Sequence, residues 1–139
     1  SHDSKLGSRR VSPDNLKKWH SILLKDLIDN PGNFRKGGVY AKNSDNALKL
    51  FLHHNYIDKA ISSLCYFVNT MSKRIDEDHF APLQVVVRNK IALAAFFQFH
   101  FVDIHPFVDG NGRMCRFLSK YILDSILPLP IPMFPDRSE

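Results

Sequence analysis

The chain has 139 residues, a length typical of one domain. Hydrophobic residues make up 44% and charged residues 24% of it, a composition too apolar for an intrinsically disordered protein. A formal net charge of +5 permits an anionic partner but selects none, because the lysines and arginines are dispersed along the sequence.

Cysteine content and hydropathy restrict the class of protein further. Cys65 and Cys115 are too few for a disulfide framework or a four-cysteine zinc site, and they favour a reducing compartment. No apolar run approaches the ~20 residues of a membrane span, and no signal-peptide core is visible. We therefore expect a cytoplasmic protein or one delivered into a host cell. Residues 1–11 are interpreted as a flexible leader or expression remnant, and residues 12–139 as one domain.

A helix is the first predicted element. Ser12 can cap it, Pro13 suits its first position and Asp14 favours its first turn. The helix should end before the Asn-Pro-Gly sequence at residues 30–32. Apolar residues follow the cap at helical spacing, namely Leu16, Trp19, Leu23 and Leu27.

A β-hairpin is predicted next, over residues 33–41. Its turn would be Gly37-Gly38, with Phe34 on one side and Val39 and Tyr40 on the other. A two-stranded hairpin is marginal in water, so we expect this one to be mobile.

Four further helices and two loops complete the predicted order. Ser44 can cap a short helix to about residue 52, and a second helix covers about residues 58–72. The polar residues 73–79 predict a loop, and a second loop is expected over residues 103–112. A long helix from Pro82 to about residue 102 is apolar almost all round from residue 91, which indicates a central position among other helices. A last helix should run from residue 113 to 127, where prolines prevent its continuation.

The residues with the clearest chemistry lie at 105–116, and read His-Pro-Phe-Val-Asp-Gly-Asn-Gly-Arg-Met-Cys-Arg. The Gly-Asn-Gly turn tolerates positive φ and directs N–H groups toward one point at the next helix start, where the dipole favours an anion. Arg113 and Arg116 share a helix face and can offer paired donors to phosphate oxygens.

An acid and a histidine accompany this predicted phosphate site. Asp109 would repel phosphate unless a magnesium ion lay between them. His105, with an ordinary pKa near 6.5, can take a proton from an attacking hydroxyl. A tight turn followed by a solvated helix explains each feature alone, whereas phosphoryl-group chemistry explains all of them together. A Walker loop is excluded, because its Gly-Lys-Ser/Thr sequence is missing.

This segment resembles the signature of the Fic family, His-x-Phe-x-Asp/Glu-Gly-Asn-Gly-Arg-x-x-Arg, at every fixed position. The resemblance extends over about residues 16–131, and the Gly-Asn-Phe-Arg sequence at 32–35 is similar to the start of the family's hairpin flap. It implies an all-α fold: a Fic-like helical bundle in which the motif loop joins two central helices, with a small β-hairpin flap.

The resemblance also implies an activity, namely transfer of AMP from ATP to a Ser, Thr or Tyr hydroxyl of a target protein in the presence of Mg²⁺. By position, His105 would be the general base and Asp109 the magnesium ligand. Arg113 would contact the β-phosphate region, and Arg116 would orient the γ-phosphate. The implied anion hole comprises Gly110, Asn111 and Gly112. The implied flap, which would clamp the target by strand pairing, comprises Phe34, Arg35, Gly37, Gly38, Val39 and Tyr40.

The sequence departs from the family in one respect. Many members carry an inhibitory helix, Ser/Thr-x-x-x-Glu-Gly/Asn, but neither glutamate of this chain, Glu77 or Glu139, lies in that pattern. An inhibitor would come from another chain or from a part missing through truncation, or it does not exist. The same site could instead transfer UMP, phosphocholine or phosphate, or remove AMP, and a non-catalytic interaction module is the alternative of another class. No nucleic acid partner is expected, and the target and oligomeric state stay open.

Overall fold

The computed structural model describes residues 10–42 and 44–124. Within these residues it contains four α-helices, a 3₁₀ turn at His54–Tyr56 and one two-stranded antiparallel sheet. This confirms the predicted all-α fold with a small hairpin. In chain order the elements are helix α1 (Pro13–Leu23), strands β1 (Tyr40–Lys42) and β2 (Leu48–Leu50), and helices α2 (Ile57–Glu77), α3 (Leu83–Ile104) and α4 (Asn111–Asp124).

Helix α1 begins as its capping residues predict but ends early. The Ser12 hydroxyl accepts the Asn15 N–H at 3.1 Å, and Pro13 occupies the first helical position. The helix ends at Leu23 rather than near residue 28, because the backbone turns left-handed at Asp26, whose φ is 64°. The predicted extension to Leu27 is therefore wrong, and Leu27 is exposed.

The core lies where α2, α3 and α4 meet, and α1 packs across α2 and α4. Each of the three long helices contributes apolar side chains spaced three or four residues apart, which places them on one face. The motif loop, residues 105–110, adds the fully buried Phe107 to the same cluster. The core residues of the three helices are Ile57, Ile61, Leu64, Cys65, Val68, Leu93, Ala94, Phe97, Phe101, Met114, Cys115, Leu118 and Ile122.

Helix α3 is less enclosed than its sequence predicts. It contacts α2 and α4 but no other described helix, so its outer face stays open, with Ile91 and Phe99 exposed. Helix α3 is therefore central between α2 and α4, but among the described residues it is not surrounded on all sides as its apolar sequence predicted. By length and composition alone α3 could cross a membrane, while its inner face packs in the core.

The hairpin lies later in the sequence than predicted. Tyr40 pairs with Leu50 and Lys42 pairs with Leu48, so the turn falls between these strands and not at residues 37–38. Gly37 and Gly38 do not adopt the positive φ that a tight hairpin turn requires. Asn46 supplies a left-handed residue instead, with φ of 61°.

Two predicted helix boundaries and one predicted helix are also corrected. The helix expected over residues 44–52 is absent there, because β2 occupies Leu48–Leu50. Helix α2 continues through the expected loop to Glu77, where Lys73 pairs with Glu77 at 3.8 Å. Helix α4 begins at Asn111 rather than at residue 113, and its predicted end near residue 127 lies outside the described residues.

Candidate active site

The motif loop leaves α3 through a left-handed residue. His105 caps the helix with φ of 52° and ψ of 62°, and its N–H donates to the Phe101 carbonyl at 3.0 Å. Histidine is one of the residues more often found in this region of backbone space. The chain therefore turns sharply at His105 and continues into the buried Pro106.

Phe107 anchors the loop in the core. Its ring stacks on the imidazole of His20, with centroids 3.8 Å apart and planes 5° apart. The Phe34 ring meets it edge-on at 5.3 Å. Aromatic contacts therefore hold the loop against α1 and against the segment before β1.

Asn111 closes the loop with its side chain. The amide oxygen accepts the Phe107 N–H at 3.0 Å, and the amide nitrogen donates to the Phe107 carbonyl at 2.6 Å. The side chain is buried and both of its polar atoms are used in these two bonds. Any contribution of Asn111 to an anion hole would therefore come from its main-chain N–H. The sequence predicted this residue as part of the site but not this role for its amide.

The start of α4 carries the residues predicted to hold phosphate. Gly110 has φ of 82°, and the Met114 N–H donates to its carbonyl at 2.9 Å to begin the helix. The first N–H groups of a helix have no partner within it, so they are available to an anion. Arg113 is exposed and Arg116 is half-buried, both in the first turns of this helix.

The described residues contain no group of three or more His, Cys, Asp or Glu side chains that could hold a metal ion. A magnesium ion would therefore depend on Asp109, whose carboxylate is exposed beside the start of α4 and accepts the Gly110 N–H at 2.8 Å. One carboxylate together with phosphate oxygens is a common magnesium environment, so the residues present fit the ion.

The surroundings of the His105 imidazole favour its neutral form. Its ring stacks on Phe51 at 4.0 Å, with planes 14° apart. Burial lowers its pKa, and the positive charges of Arg35 and Lys49 lower it further. The Val102 carbonyl raises the pKa, although Nδ1 is buried and completes no hydrogen bond of normal geometry.

His20 is a site residue that the sequence analysis missed. It is 1% exposed, and its Nε2 lies 2.9 Å from the Asp109 carbonyl. Its Nδ1 accepts the Gly32 N–H at 2.8 Å, so the ring proton of the neutral form sits on Nε2 and is donated to Asp109. Burial lowers the pKa of His20, while the hydrogen bond to Asp109 and the Asp109 charge oppose the shift. The feature of the sequence that could have identified His20 is its position among the apolar residues of α1.

The residues predicted to form the flap divide into two groups. Phe34 and Arg35 precede β1 and face inward, so their predicted place on a hairpin strand is wrong. Gly37 and Gly38 have open space around them. Val39 is half-buried and accepts the Phe51 N–H at 3.2 Å, while Tyr40 is exposed on β1.

A salt bridge places the hairpin beside the motif loop. Lys49 of β2 lies 3.3 Å from the carboxylate of Asp103, near the end of α3. Phe51, which follows β2, then reaches the ring of His105. This position of Phe51 was not predicted, because a helix was expected over residues 44–52. The structure thus brings the hairpin and the predicted base together.

Comparison with known proteins identifies the family whose signature the motif resembles. The Fic/DOC family model matches residues 10–123, which is most of the chain. A Fido domain-containing protein of Dictyostelium discoideum is 30% identical over 117 residues, which cover 84% of this chain and 71% of that protein.

Solved structures of Fic proteins share the fold. A Fic family protein of Desulfovibrio desulfuricans is 25% identical, with a TM-score of 0.63, and the match covers 84% of this chain but only 31% of that one. The Bartonella tribocorum effector BepC, solved with bound AMPPNP, is 17% identical with a TM-score of 0.59, over 85% of this chain and 57% of that one. On the extent of the family match and the identity to the Dictyostelium protein, the chain belongs to the Fic/DOC family, whose members generally transfer AMP or similar groups to proteins.

Proposed function

We propose that this chain transfers AMP from ATP to a Ser, Thr or Tyr hydroxyl of a target protein. The observation that carries the proposal is the position of His105, a histidine with a lowered pKa, one short loop before the glycine-rich start of α4. A base for a hydroxyl and a site for phosphate then lie at the two ends of a loop of a few residues.

The imidazole of His105 would act on the incoming hydroxyl. Because Nδ1 is buried, Nε2 is the nitrogen left to accept the proton. The hydroxyl oxygen forms a bond to the α-phosphorus, the bond from that phosphorus to the bridging oxygen breaks, and pyrophosphate leaves with the electron pair. A lowered pKa keeps the ring neutral, and so able to accept a proton, at pH 7.

The charge of the phosphates would be met by the loop and by α4. The main-chain N–H groups of Asn111 and Gly112 would surround the α- and β-phosphates, and the Gly110 N–H would join them by exchanging the Asp109 carboxylate for phosphate. Arg113 and Arg116 would contact the outer phosphates. Mg²⁺ bound through Asp109 and phosphate oxygens would supply further charge neutralisation. The AMPPNP bound by BepC supports a nucleoside triphosphate as the donor.

Label transfer tests the proposal. The chain is incubated with magnesium and with ATP labelled at either the α- or the γ-phosphate, alone and with cell proteins as acceptors. We expect label from the α-position only, a mass increase corresponding to AMP, and loss of transfer in His105→Ala. His79→Ala is the matched control, because His79 is an exposed histidine far along the chain from the motif.

Other outcomes would contradict the proposal. Label from the γ-position would indicate phosphate transfer, and a mass increase from UTP or CDP-choline would indicate another transferred group. Transfer by His105→Ala at the level of the unchanged protein would remove His105 from the reaction. No magnesium-dependent thermal shift with ATP would favour a non-catalytic module.

A further inference from the structure

Arg35 makes an unusual set of contacts with the beginning of the motif loop. Its side chain is buried, with 3% of its surface exposed. Nε donates to the His105 carbonyl at 2.7 Å and Nη2 to the Ile104 carbonyl at 3.2 Å, while the Arg35 main-chain N–H donates to the Pro106 carbonyl at 2.8 Å. One residue therefore binds three consecutive carbonyls across the left-handed turn.

The same guanidinium also binds both ends of the hairpin segment. Nη1 donates to the Gly37 carbonyl, before β1, at 2.8 Å. Nη2 donates to the Leu52 carbonyl, after β2. The planar group thus joins the strands of the hairpin to the loop that carries His105, in a geometry that its fixed fork of donors makes specific.

The environment of Arg35 makes packing alone a poor explanation for its presence. In the described part of the chain no carboxylate lies within ion-pair distance of its guanidinium, which is satisfied by main-chain carbonyls only. A buried charge is costly unless it is fully hydrogen-bonded. An apolar side chain would avoid that cost but would leave the main-chain carbonyls bound by the guanidinium without this donor. The charge and the fork of donors therefore indicate a role that an apolar residue would not fulfil.

We infer that Arg35 is a positioning residue. Its guanidinium fixes the left-handed turn at His105 and links that turn to the hairpin, so that His105 and the hairpin keep a fixed position relative to each other. The inference rests on the proposed function and deepens it, because it explains how a two-stranded hairpin with exposed strands is held in a fixed position relative to His105.

The charge of Arg35 has a second consequence for His105. Among the described residues, the charges that act on the imidazole are those of Arg35 and of Lys49 of β2, and Lys49 also pairs with Asp103 of α3. Positive charge disfavours the protonated ring, so Arg35 and Lys49 both add to the lowering of the His105 pKa by burial. Removing the Arg35 charge should raise that pKa, an effect that a purely structural role would not produce.

Two substitutions separate the charge of Arg35 from its fork of donors. Arg35→Met removes the charge, whereas Arg35→Lys keeps it but cannot bind the separate carbonyls at once. The pKa of His105 is measured by NMR from its imidazole signal, assigned with His105→Ala, and kcat and KM are measured in the transfer assay. Lys36→Met is the control, because Lys36 is the exposed neighbour.

We expect Arg35→Met to raise the His105 pKa and to move the acid limb of the pH–rate profile to higher pH. Arg35→Lys should keep the pKa low yet reduce kcat by about 100-fold with a small change in the KM for ATP, since a small misplacement of the base has this scale of effect. Lys36→Met should change none of these quantities.

The inference is overturned if a folded Arg35→Met leaves the His105 pKa unchanged, or if Arg35→Lys transfers as fast as the unchanged protein. If Arg35→Met does not fold, as judged by circular dichroism, Arg35→Lys decides the question alone. If the unchanged protein transfers nothing, the proposed function fails, but the imidazole titration and amide exchange of β1 still test the link between Arg35, His105 and the hairpin. In that case, exchange of β1 unchanged by Arg35→Lys contradicts the inference.

Discussion

His105 combines a left-handed backbone with a ring that resists protonation. The first property directs the chain into the motif loop, and the second follows from burial and from two neighbouring positive charges. Both depend on residues distant in sequence, since Arg35 and Lys49 approach from the segments around the hairpin. The chemistry of this side chain therefore depends on tertiary structure.

The lowered pKa of His105 makes stability depend on pH. The unfolded chain binds the proton more readily, so the free energy of unfolding should fall as the pH drops below about 6.5 and continue to fall until the folded-state pKa is passed. Urea unfolding at pH 7.5, 6.5 and 5.5 measures this. The urea concentration at the midpoint of unfolding should be lower at lower pH, and His105→Gln should make this decrease smaller. A midpoint as high at pH 5.5 as at pH 7.5 would contradict the prediction.

His20 should matter for stability although it lies outside the motif. His20→Ala leaves the Asp109 carbonyl and the Gly32 N–H without their partner and removes the stack on Phe107. We expect a loss of about 1–3 kcal/mol in the free energy of unfolding. Lys18→Ala, an exposed position of the same helix, should cost little in the same denaturation measurement. Equal effects of the two substitutions would show that the contacts of His20 contribute nothing.

The sequence predicts the identities of the motif residues but not what supports them. A fixed spacing of His, Asp, Gly and Arg is readable because all of these residues lie in one segment. The partners of Arg35 and His20 lie 70 and 89 residues away, and no local pattern encodes such a contact. A buried arginine and a buried histidine look like ordinary surface residues until the fold is known.

Helices were more predictable than the hairpin for a related reason. The apolar spacing in α2, α3 and α4 repeats over several turns, so errors are confined to the ends. The strands of the hairpin have three residues each, all of them exposed, so they are too short to show a sustained alternation of apolar and polar residues. Gly37-Gly38 then appeared to be the turn, although the actual turn lies beyond β1.

The turn before α4 depends on glycine at one position. Gly110 has φ of 82°, and a Cβ there would lie 3.0 Å from the Leu24 side chain. Gly110→Ala should therefore destabilise the chain by about 1–2 kcal/mol from backbone strain, with a further cost from the contact. Adding Leu24→Ala should not restore the original stability, because the strain in φ persists.

Gly37→Ala provides the matched control in thermal denaturation. Nothing lies within 4 Å of a Cβ at this position, and its φ is not positive. The melting temperature should therefore change little. If Gly110→Ala and Gly37→Ala lowered the melting temperature equally, the left-handed turn would not be the cause.

The described domain has an unequal distribution of apolar surface. Phe97 and Phe99 are two residues apart on α3, but Phe97 is fully buried and Phe99 is 69% exposed. The match to the Desulfovibrio structure covers 31% of that chain, so a comparable fold occurs there within a larger protein. The outer face of α3 should contribute little to the stability of this chain.

A pair of substitutions tests this. Phe97→Ala should lower the free energy of unfolding by about 3–5 kcal/mol, because it leaves a cavity in the core. Phe99→Ala should change it by about 0.5 kcal/mol or less, as for other surface substitutions. Urea unfolding of both variants measures the difference, and a comparable loss for Phe99→Ala would indicate that its face is buried in solution.

Trp19, the only tryptophan of the sequence, lies where α1 meets α4, with its ring centroid 5.6 Å from that of Phe117 and 5.0 Å from that of Tyr121. It is thus a natural optical probe of this junction. Its neighbour His20 bonds to the motif loop, so separation of α1 from α4 would disturb that bond and expose the indole to water. A red shift in tryptophan emission would report the separation of α1 from α4 in real time, without an added dye and in the same cuvette as a transfer reaction.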